Sequence, residues 1–194
     1  MDSGVPLRPA LVHERQGWNQ HCARHSINNL LQQRGAVTKA ELDGIAEELF
    51  RAERQLTSDA PLFNPNKSVL GLGNYSVGVI ERALRDRGLD CSERLRVGAD
   101  GVRGALPDTA AAPLVGFIVN RPSTVCFVFP VRHWLPIVRV GPGAWANLDS
   151  LRPAPLPLDL DGLHAALQHE VDRGADVLLV SRSGGGGGGG ATQE

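Results

Sequence analysis

The hydrophobic periodicity of this chain changes partway along, from the period of helices to the period of strands. In the first half, apolar residues fall on one helical stripe at about residues 22–33, from 38 to between 54 and 59, and at about 76–87. After about residue 114, short apolar runs alternate with glycine-containing turns, which is typical of strands. This order predicts an α+β domain, with helices packed on a mostly antiparallel sheet.

The second half contains a predicted β-hairpin followed by one more helix and strand. Trp134–Val140 and Ala144–Leu148 are two strand-like runs separated by Gly141-Pro142-Gly143. A helix is predicted at about 160–173, stopped by Gly174, and a buried strand at about 176–181. The hairpin is the most informative of these elements for locating a functional site, because its two open ends must lie side by side.

The length and the ends of the chain predict one domain with tails. A chain of 194 residues is long enough to bury a core without disulfides or metal. Two prolines interrupt residues 1–11, which we expect to be a flexible leader. Residues 184–190 are seven consecutive glycines, a run that buries no apolar surface. We therefore predict an ordered domain over 12–182 and a disordered glycine-rich tail over 183–194.

The composition argues against several classes of protein. The formal net charge is −1, which lacks the basic excess of nucleic-acid binders. No apolar run is long enough to span a membrane, and the N-terminal residues lack the apolar core of a signal peptide. Three scattered cysteines, Cys22, Cys91 and Cys126, are typical of a reducing compartment. We expect a cytoplasmic or nuclear protein that binds no nucleic acid.

Cys22 is the candidate nucleophile, because it begins the first predicted helix. Free N–H groups and the positive end of the helix dipole favour a thiolate there. A buried, inert cysteine is the alternative. His133 precedes the hairpin's first predicted strand and Asp149 follows its second, so these antiparallel ends bring imidazole and carboxylate together. The carboxylate can then orient the imidazole as a base for the sulfur, although each residue alone could be an ordinary surface or turn residue.

Other polar residues near Cys22 have less specific interpretations. Gln16, six residues before Cys22, could donate to an oxyanion together with the Cys22 N–H, or could simply be solvated. His13, His21 and His25 suggest zinc, but no second ligand pair with the right spacing follows, so we predict no metal. The remaining two cysteines are predicted to be structural, and His25 to pack near the site.

At these positions the sequence resembles the Josephin family, and specifically its short members. The matching stretches occur in the family's order and cover nearly all of residues 12–182: His13-Glu14-Arg15-Gln16, Cys22-Ala23-Arg24-His25-Ser26-Ile27-Asn28-Asn29-Leu30-Leu31-Gln32, Gly71-Leu72-Gly73-Asn74-Tyr75, Arg132-His133-Trp134 and Asn147-Leu148-Asp149-Ser150.

The resemblance implies a papain-like α+β fold and a deubiquitinating cysteine protease. It implies hydrolysis after the C-terminal glycine of ubiquitin through a thioester, with Cys22 as nucleophile, His133 as general base and acid, Asp149 as orienting residue and Gln16 as oxyanion donor. Trp134 is a candidate wall of the substrate groove, with a plain core role as the alternative. The helical arm at 39–60 is the part that helps to bind ubiquitin in this family.

The implied partners are ubiquitin and ubiquitinated proteins, bound by a monomer without a cofactor. Two other functions stay open. One is a ubiquitin-binding module with negligible turnover, since the presence of the chemical residues does not guarantee their alignment. The other is a general peptidase on the same scaffold.

Overall fold

A computed structural model describes residues 10–17, 21–56, 63–67, 75–106, 113–125 and 129–183. The predicted leader and tail therefore lie almost entirely outside the described residues, as do Cys126 and Gly71–Asn74. The elements run in the order α1 (Cys22–Leu31), α2 (Lys39–Leu56), α3 (Val77–Arg85), β1 (Leu89–Asp90), α4 (Gly101–Ala105), β2 (Leu114–Val125), β3 (Phe129–Gly141), β4 (Ala144–Asn147), β5 (Leu156–Leu158), α5 (Leu160–Asp172) and β6 (Asp176–Arg182).

A six-stranded sheet in the order β1-β6-β2-β3-β4-β5 forms the centre of the domain, and every pair of neighbours is antiparallel. The predicted α+β class and mostly antiparallel sheet are confirmed. The long β2–β3 ribbon occupies the middle of the sheet, where both strands exchange backbone hydrogen bonds along ten paired residues.

The central strands bury both of their faces. Along β3, Trp134 and Val138 pack into the core under α1, α2 and α3, whereas Leu135 and Ile137 face the core that contains the α5 residues. This alternation is the two-residue period of a strand. Helix α1, which begins at Cys22, therefore lies on the same side of the sheet as the even-numbered residues of this part of β3.

The helix boundaries follow local capping chemistry. Helix α2 is capped by Thr38, whose Oγ1 accepts a hydrogen bond from Glu41 N at 3.2 Å. Helix α1 ends at Leu31, a little before the predicted end near residue 33. Gln32 takes a left-handed conformation with φ of 54° and ends the helix, while its side-chain amide bonds back to the Asn29 carbonyl.

Two strands are longer than predicted. The sequence shows a short apolar run at Leu114–Val119, whereas β2 continues to Val125, and β3 begins at Phe129 instead of Trp134. His133 is therefore inside β3, opposite Arg121, and the prediction that it precedes the strand is wrong. Each strand satisfies the other's backbone hydrogen bonds, so pairing extends through residues of low strand propensity. The short elements α4 and β5 were not predicted. Within the described residues, no helix is both long and apolar enough to cross a membrane.

Candidate active site

The cysteine at the start of α1 has the surroundings of a nucleophile. Cys22 is a free thiol, is the first residue of the helix, and is 4% exposed. His21 precedes it and makes no side-chain capping hydrogen bond. The first N–H groups of α1 and the positive end of its dipole therefore act at the position of the sulfur.

The imidazole of His133 joins this sulfur to a carboxylate. Its Nε2 donates to Asp149 Oδ1 at 2.7 Å, and the Cys22 side chain lies close enough to the ring to raise its pKa. Because Nε2 is used by the carboxylate, Nδ1 is the ring nitrogen that remains available to the sulfur. The structure thus brings together the three residues that the sequence placed at the start of a helix and at the open end of a hairpin.

The surroundings of His133 favour its protonated form. Burial alone would lower the pKa of the imidazole, but the hydrogen bonds and charges of Asp149 and Cys22 outweigh burial and raise the pKa to about 9. A protonated imidazole between a carboxylate and a sulfur stabilises the thiolate as an ion pair. The site therefore places a cation between the carboxylate of Asp149 and the sulfur of Cys22, an arrangement suited to nucleophilic catalysis.

The carboxylate of Asp149 is fixed by several partners besides His133. Its Oδ1 also accepts from Leu151 N at 3.0 Å, its Oδ2 accepts from Arg121 Nη2 at 3.1 Å, and its own N–H donates to Asn147 Oδ1 at 3.0 Å. Burial raises the pKa of this carboxyl, but the hydrogen bonds from His133 and Leu151 and the charges of His133 and Arg121 hold it below its ordinary value. The acid is ionised and has little freedom to rotate.

A buried asparagine connects the nucleophile helix to the acid. Asn29 lies seven residues after Cys22 on α1 and is fully buried. Its Nδ2 donates to the backbone carbonyls of Leu148 at 2.9 Å and Glu14 at 3.1 Å, and its Oδ1 accepts from Glu14 N. Since Leu148 is next to Asp149, one side chain fixes α1, the N-terminal segment and the end of the hairpin relative to each other.

Gln16 lies beside the residue that follows the acid. Its backbone N–H donates to the Ser150 carbonyl at 2.9 Å, and its Oε1 accepts from Ser150 Oγ at 3.4 Å. The second bond orients the side-chain amide, with the Nε2 donor facing away from Ser150. Gln16 is thus held close to the triad, and its role as an oxyanion donor stays a prediction.

The other singled-out residues are buried and already have partners. Trp134 is 1% exposed and donates its indole N–H to the Tyr75 carbonyl at 3.2 Å, a placement that favours the core alternative over a groove wall. His25 Nδ1 is 2.9 Å from Glu14 Oε2, and burial lowers the pKa of its imidazole. Cys91 is 2% exposed, and burial raises the pKa of its thiol to about 12, which fits a structural cysteine.

The histidines that suggested zinc have separate roles. His13 Nε2 bonds to the backbone carbonyl of Asp149 at 3.0 Å, whereas His25 faces Glu14. Among the residues that the structure describes, no group of three His, Cys, Asp or Glu side chains could share a metal ion.

Two features of the site were missed from the sequence. The first is the set of hydrogen bonds made by Glu14 and Asn29. Both residues lie within the stretches that carry the family resemblance, so those motifs were the available signal, although neither residue was assigned a role from the sequence. Arg121 had no local signal at all, because its partners Asp149 and Glu170 are 28 and 49 residues away along the chain.

Comparisons with known proteins point to one family. The Josephin family model matches residues 18–181. Josephin-2 of Homo sapiens is 37% identical over 182 residues, covering 90% of this chain and 88% of that protein, and Josephin-2 of Mus musculus is 36% identical over the same shares. A Josephin-like protein of Arabidopsis thaliana is 34% identical over 145 residues, covering 72% of this chain and 38% of its own length. The chain therefore belongs to the Josephin family, whose members are generally deubiquitinating cysteine proteases.

Proposed function

We propose that this chain is a thiol-dependent deubiquitinase that hydrolyses the isopeptide or peptide bond after the C-terminal glycine of ubiquitin. The observation that carries the proposal is the placement of His133 between the Asp149 carboxylate, to which its Nε2 is bonded, and the Cys22 side chain. Membership of the family supports the substrate class, and the buried pair of His133 and Asp149 supports the chemistry.

In the acylation step, the Cys22 thiolate attacks the carbonyl carbon of the ubiquitin C-terminal glycine, and a carbon–sulfur bond forms. The negative charge moves to the carbonyl oxygen, where the Cys22 N–H and the Gln16 side-chain amide stabilise it. As the carbon–nitrogen bond breaks, His133 gives its proton to the leaving lysine amine, or to an α-amine where the bond is a peptide. The product is a thioester between ubiquitin and Cys22.

In the deacylation step, the neutral His133 takes a proton from water, and the resulting hydroxide equivalent attacks the thioester. The carbon–sulfur bond breaks, ubiquitin leaves with a free carboxylate, and the thiolate and imidazolium are restored. Asp149 keeps Nε2 of His133 protonated throughout, so that Nδ1 remains the nitrogen that exchanges protons with sulfur, amine and water.

The remaining parts of the proposal concern the surroundings of the domain. They are a catalytic domain over residues 12–182, a cytoplasmic or nuclear location, ubiquitin and ubiquitinated proteins as partners, and a monomer that needs no cofactor. The free thiols of Cys22 and Cys91 support a reducing compartment. Size-exclusion chromatography with light scattering tests the monomer, and imaging of the tagged chain tests the location.

A ubiquitin probe with a cysteine-reactive group at its C-terminus tests the activity directly. We expect the wild-type chain to form a covalent adduct and Cys22→Ala to form none. Cys91→Ala is the matched control, because it removes a buried cysteine outside the triad, and it should label like the wild type. Hydrolysis of a fluorogenic ubiquitin substrate then measures turnover by the same three proteins.

The two alternatives give different results in these assays. Binding of ubiquitin without an adduct and without turnover would identify a binding module and refute the enzyme. Cleavage of unrelated peptides as efficiently as the ubiquitin substrate would identify a general peptidase. An adduct that still forms on Cys22→Ala would place the nucleophile elsewhere.

A further inference from the structure

A single arginine lies between the proposed catalytic acid and a second buried carboxylate. Arg121 is opposite His133 in the β2–β3 pairing, so both side chains project from the same face of the ribbon. Its Nη2 donates to Asp149 Oδ2 at 3.1 Å, and its Nη1 donates to Glu170 Oε1, also at 3.1 Å. The guanidinium therefore bridges the loop after β4 and helix α5.

Burial makes this bridge necessary. The side chains of Asp149 and Glu170 are 6% and 8% exposed, so both charges are poorly solvated, and that of Arg121 is 21% exposed. Two buried carboxylates close together repel each other unless a cation separates them. Glu170 Oε2 has no hydrogen-bond partner among the described residues, and Glu170 Oε1 accepts from Arg121, so Arg121 is the group that holds this carboxylate.

We propose that Arg121 is a positioning residue for the catalytic acid and that Glu170 holds Arg121 in place. In the ion-pair state, five neighbouring groups then alternate in sign: Glu170, Arg121, Asp149, His133 and Cys22. This inference rests on the proposed function, because it assigns a role in that same reaction to residues outside the triad.

Arg121 has two separable effects. The first is geometric: it holds Oδ2 of Asp149, so that Oδ1 stays directed at His133. The second is electrostatic: its positive charge balances the two carboxylates that act on the imidazolium. The titratable or charged groups that face the His133–Asp149 pair are Cys22 from α1, His13 from the N-terminal segment, Arg121 from β2 and, through Arg121, Glu170 from α5.

The electrostatic effect predicts shifts of opposite sign. Loss of the Arg121 charge makes the surroundings of His133 more negative, which favours the imidazolium. Loss of the Glu170 charge makes them more positive, which disfavours it. The alkaline limb of kcat/KM reports deprotonation of the imidazolium in the free enzyme. It should therefore move to higher pH in Arg121→Gln and to lower pH in Glu170→Gln, each by about 0.3–1 pH unit.

The experiment measures kcat/KM and kcat against pH with a fluorogenic ubiquitin substrate. In Arg121→Gln, kcat should fall about tenfold with KM within about twofold, because the acid loses one anchor. In Glu170→Gln, kcat should stay within about threefold, since the bond from Arg121 to Asp149 remains. The double variant should bring the alkaline limb back towards the wild-type position.

One further variant separates the charge of Arg121 from its geometry, and another serves as a control outside the site. Arg121→Lys keeps the charge but cannot contact both carboxylates as a fork, so the alkaline limb should stay near the wild type while kcat recovers only in part. Arg103→Gln removes an exposed arginine that pairs with Asp161, and it should change neither the limb nor kcat.

Shifts in the same direction for Arg121→Gln and Glu170→Gln, or no shift in either, would overturn the inference. If Arg121→Gln does not fold, Glu170→Gln and Arg121→Lys still decide the question, and an unmoved limb in Glu170→Gln would overturn it. Failure of the proposed function is distinguishable, because the wild type itself would then show no turnover.

Discussion

Replacing Asn29 by alanine tests whether one buried amide holds the active site together. The change removes three hydrogen bonds and leaves three backbone groups without their partner: the carbonyl of Leu148 and the N–H and carbonyl of Glu14. A buried unsatisfied group costs about 1–3 kcal/mol. The two groups of Glu14 are near partly buried surface, where water can replace the amide, so they count at the lower end.

The net loss follows from these contributions. About 2 kcal/mol for the Leu148 carbonyl and about 1 kcal/mol for each Glu14 group are offset by about 0.5 kcal/mol, since alanine is the better helix former. We expect Asn29→Ala to lower the free energy of unfolding by about 3.5 kcal/mol. For a domain of this size, that corresponds to a fall in Tm of about 7–14 °C.

Thermal and urea unfolding followed by circular dichroism measure this loss. Asn64→Ala is the control, because Asn64 is a half-buried asparagine whose side chain likewise bonds to backbone groups, Ala46 O at 3.1 Å and Asn66 N at 2.9 Å. It connects a surface loop to α2, so its removal should cost about 1 kcal/mol or less. If Asn29→Ala lowers the free energy of unfolding no more than Asn64→Ala does, Asn29 is not the residue that holds α1, the N-terminal segment and the end of the hairpin together.

Three further predictions concern the triad and the ribbon that carries it. His133→Ala should abolish turnover, whereas Asp149→Ala should leave a measurable remnant of kcat, because the acid only orients the imidazole; equal and complete loss would contradict this division. The pKa of His133 is raised from 6.5 to about 9, so its contribution to the free energy of unfolding is full below about pH 6.5 and is lost as pH rises through about 9. Urea unfolding of the wild type and His133→Ala across this window should show their difference shrinking towards high pH. A Cβ at Gly116 would lie 2.5 Å from the Ile137 carbonyl oxygen, so Gly116→Ala should destabilise the fold by about 1–3 kcal/mol, and an unchanged Tm would show that the ribbon adapts.

The triad could be predicted because its geometry follows from simple rules. A cysteine at a helix start and the two open ends of a hairpin are visible in the sequence, and an antiparallel ribbon must bring those ends together. The prediction therefore held for the neighbourhood of His133 and Asp149 even though the strand limits were wrong. The turn at Gly141–Gly143 determines that the start of β3 lies beside the end of β4. This arrangement does not depend on the exact residue at which β3 begins.

The partners of the triad could not be predicted, because they come from pairings distant in sequence. Arg121 reaches Asp149 only because β2 continues beyond Val119, and the residues that extend it do not read as a strand. Its pairing with β3 stabilises that extension, and such tertiary support has no local signature. Glu170 likewise lies on a correctly predicted helix, yet nothing in the helical pattern shows that its carboxylate faces an arginine on the sheet.

Burial of the triad also bears on the substrate that the proposed enzyme would select. Cys22 is 4% exposed and His133 is 5% exposed, so a bulky side chain next to the scissile bond could not approach the sulfur without displacing its neighbours. A chain that ends in glycines has no side chains there, and its backbone alone is narrow enough to reach a nearly covered nucleophile. Under the proposed function, the substrate must therefore meet two separate requirements: a terminal segment narrow enough to reach the sulfur of Cys22, and a ubiquitin surface that the enzyme binds away from the sulfur. Burial of the sulfur therefore favours the proposed ubiquitin hydrolase over a general peptidase, and cleavage of unrelated peptides is the measurement that distinguishes the two.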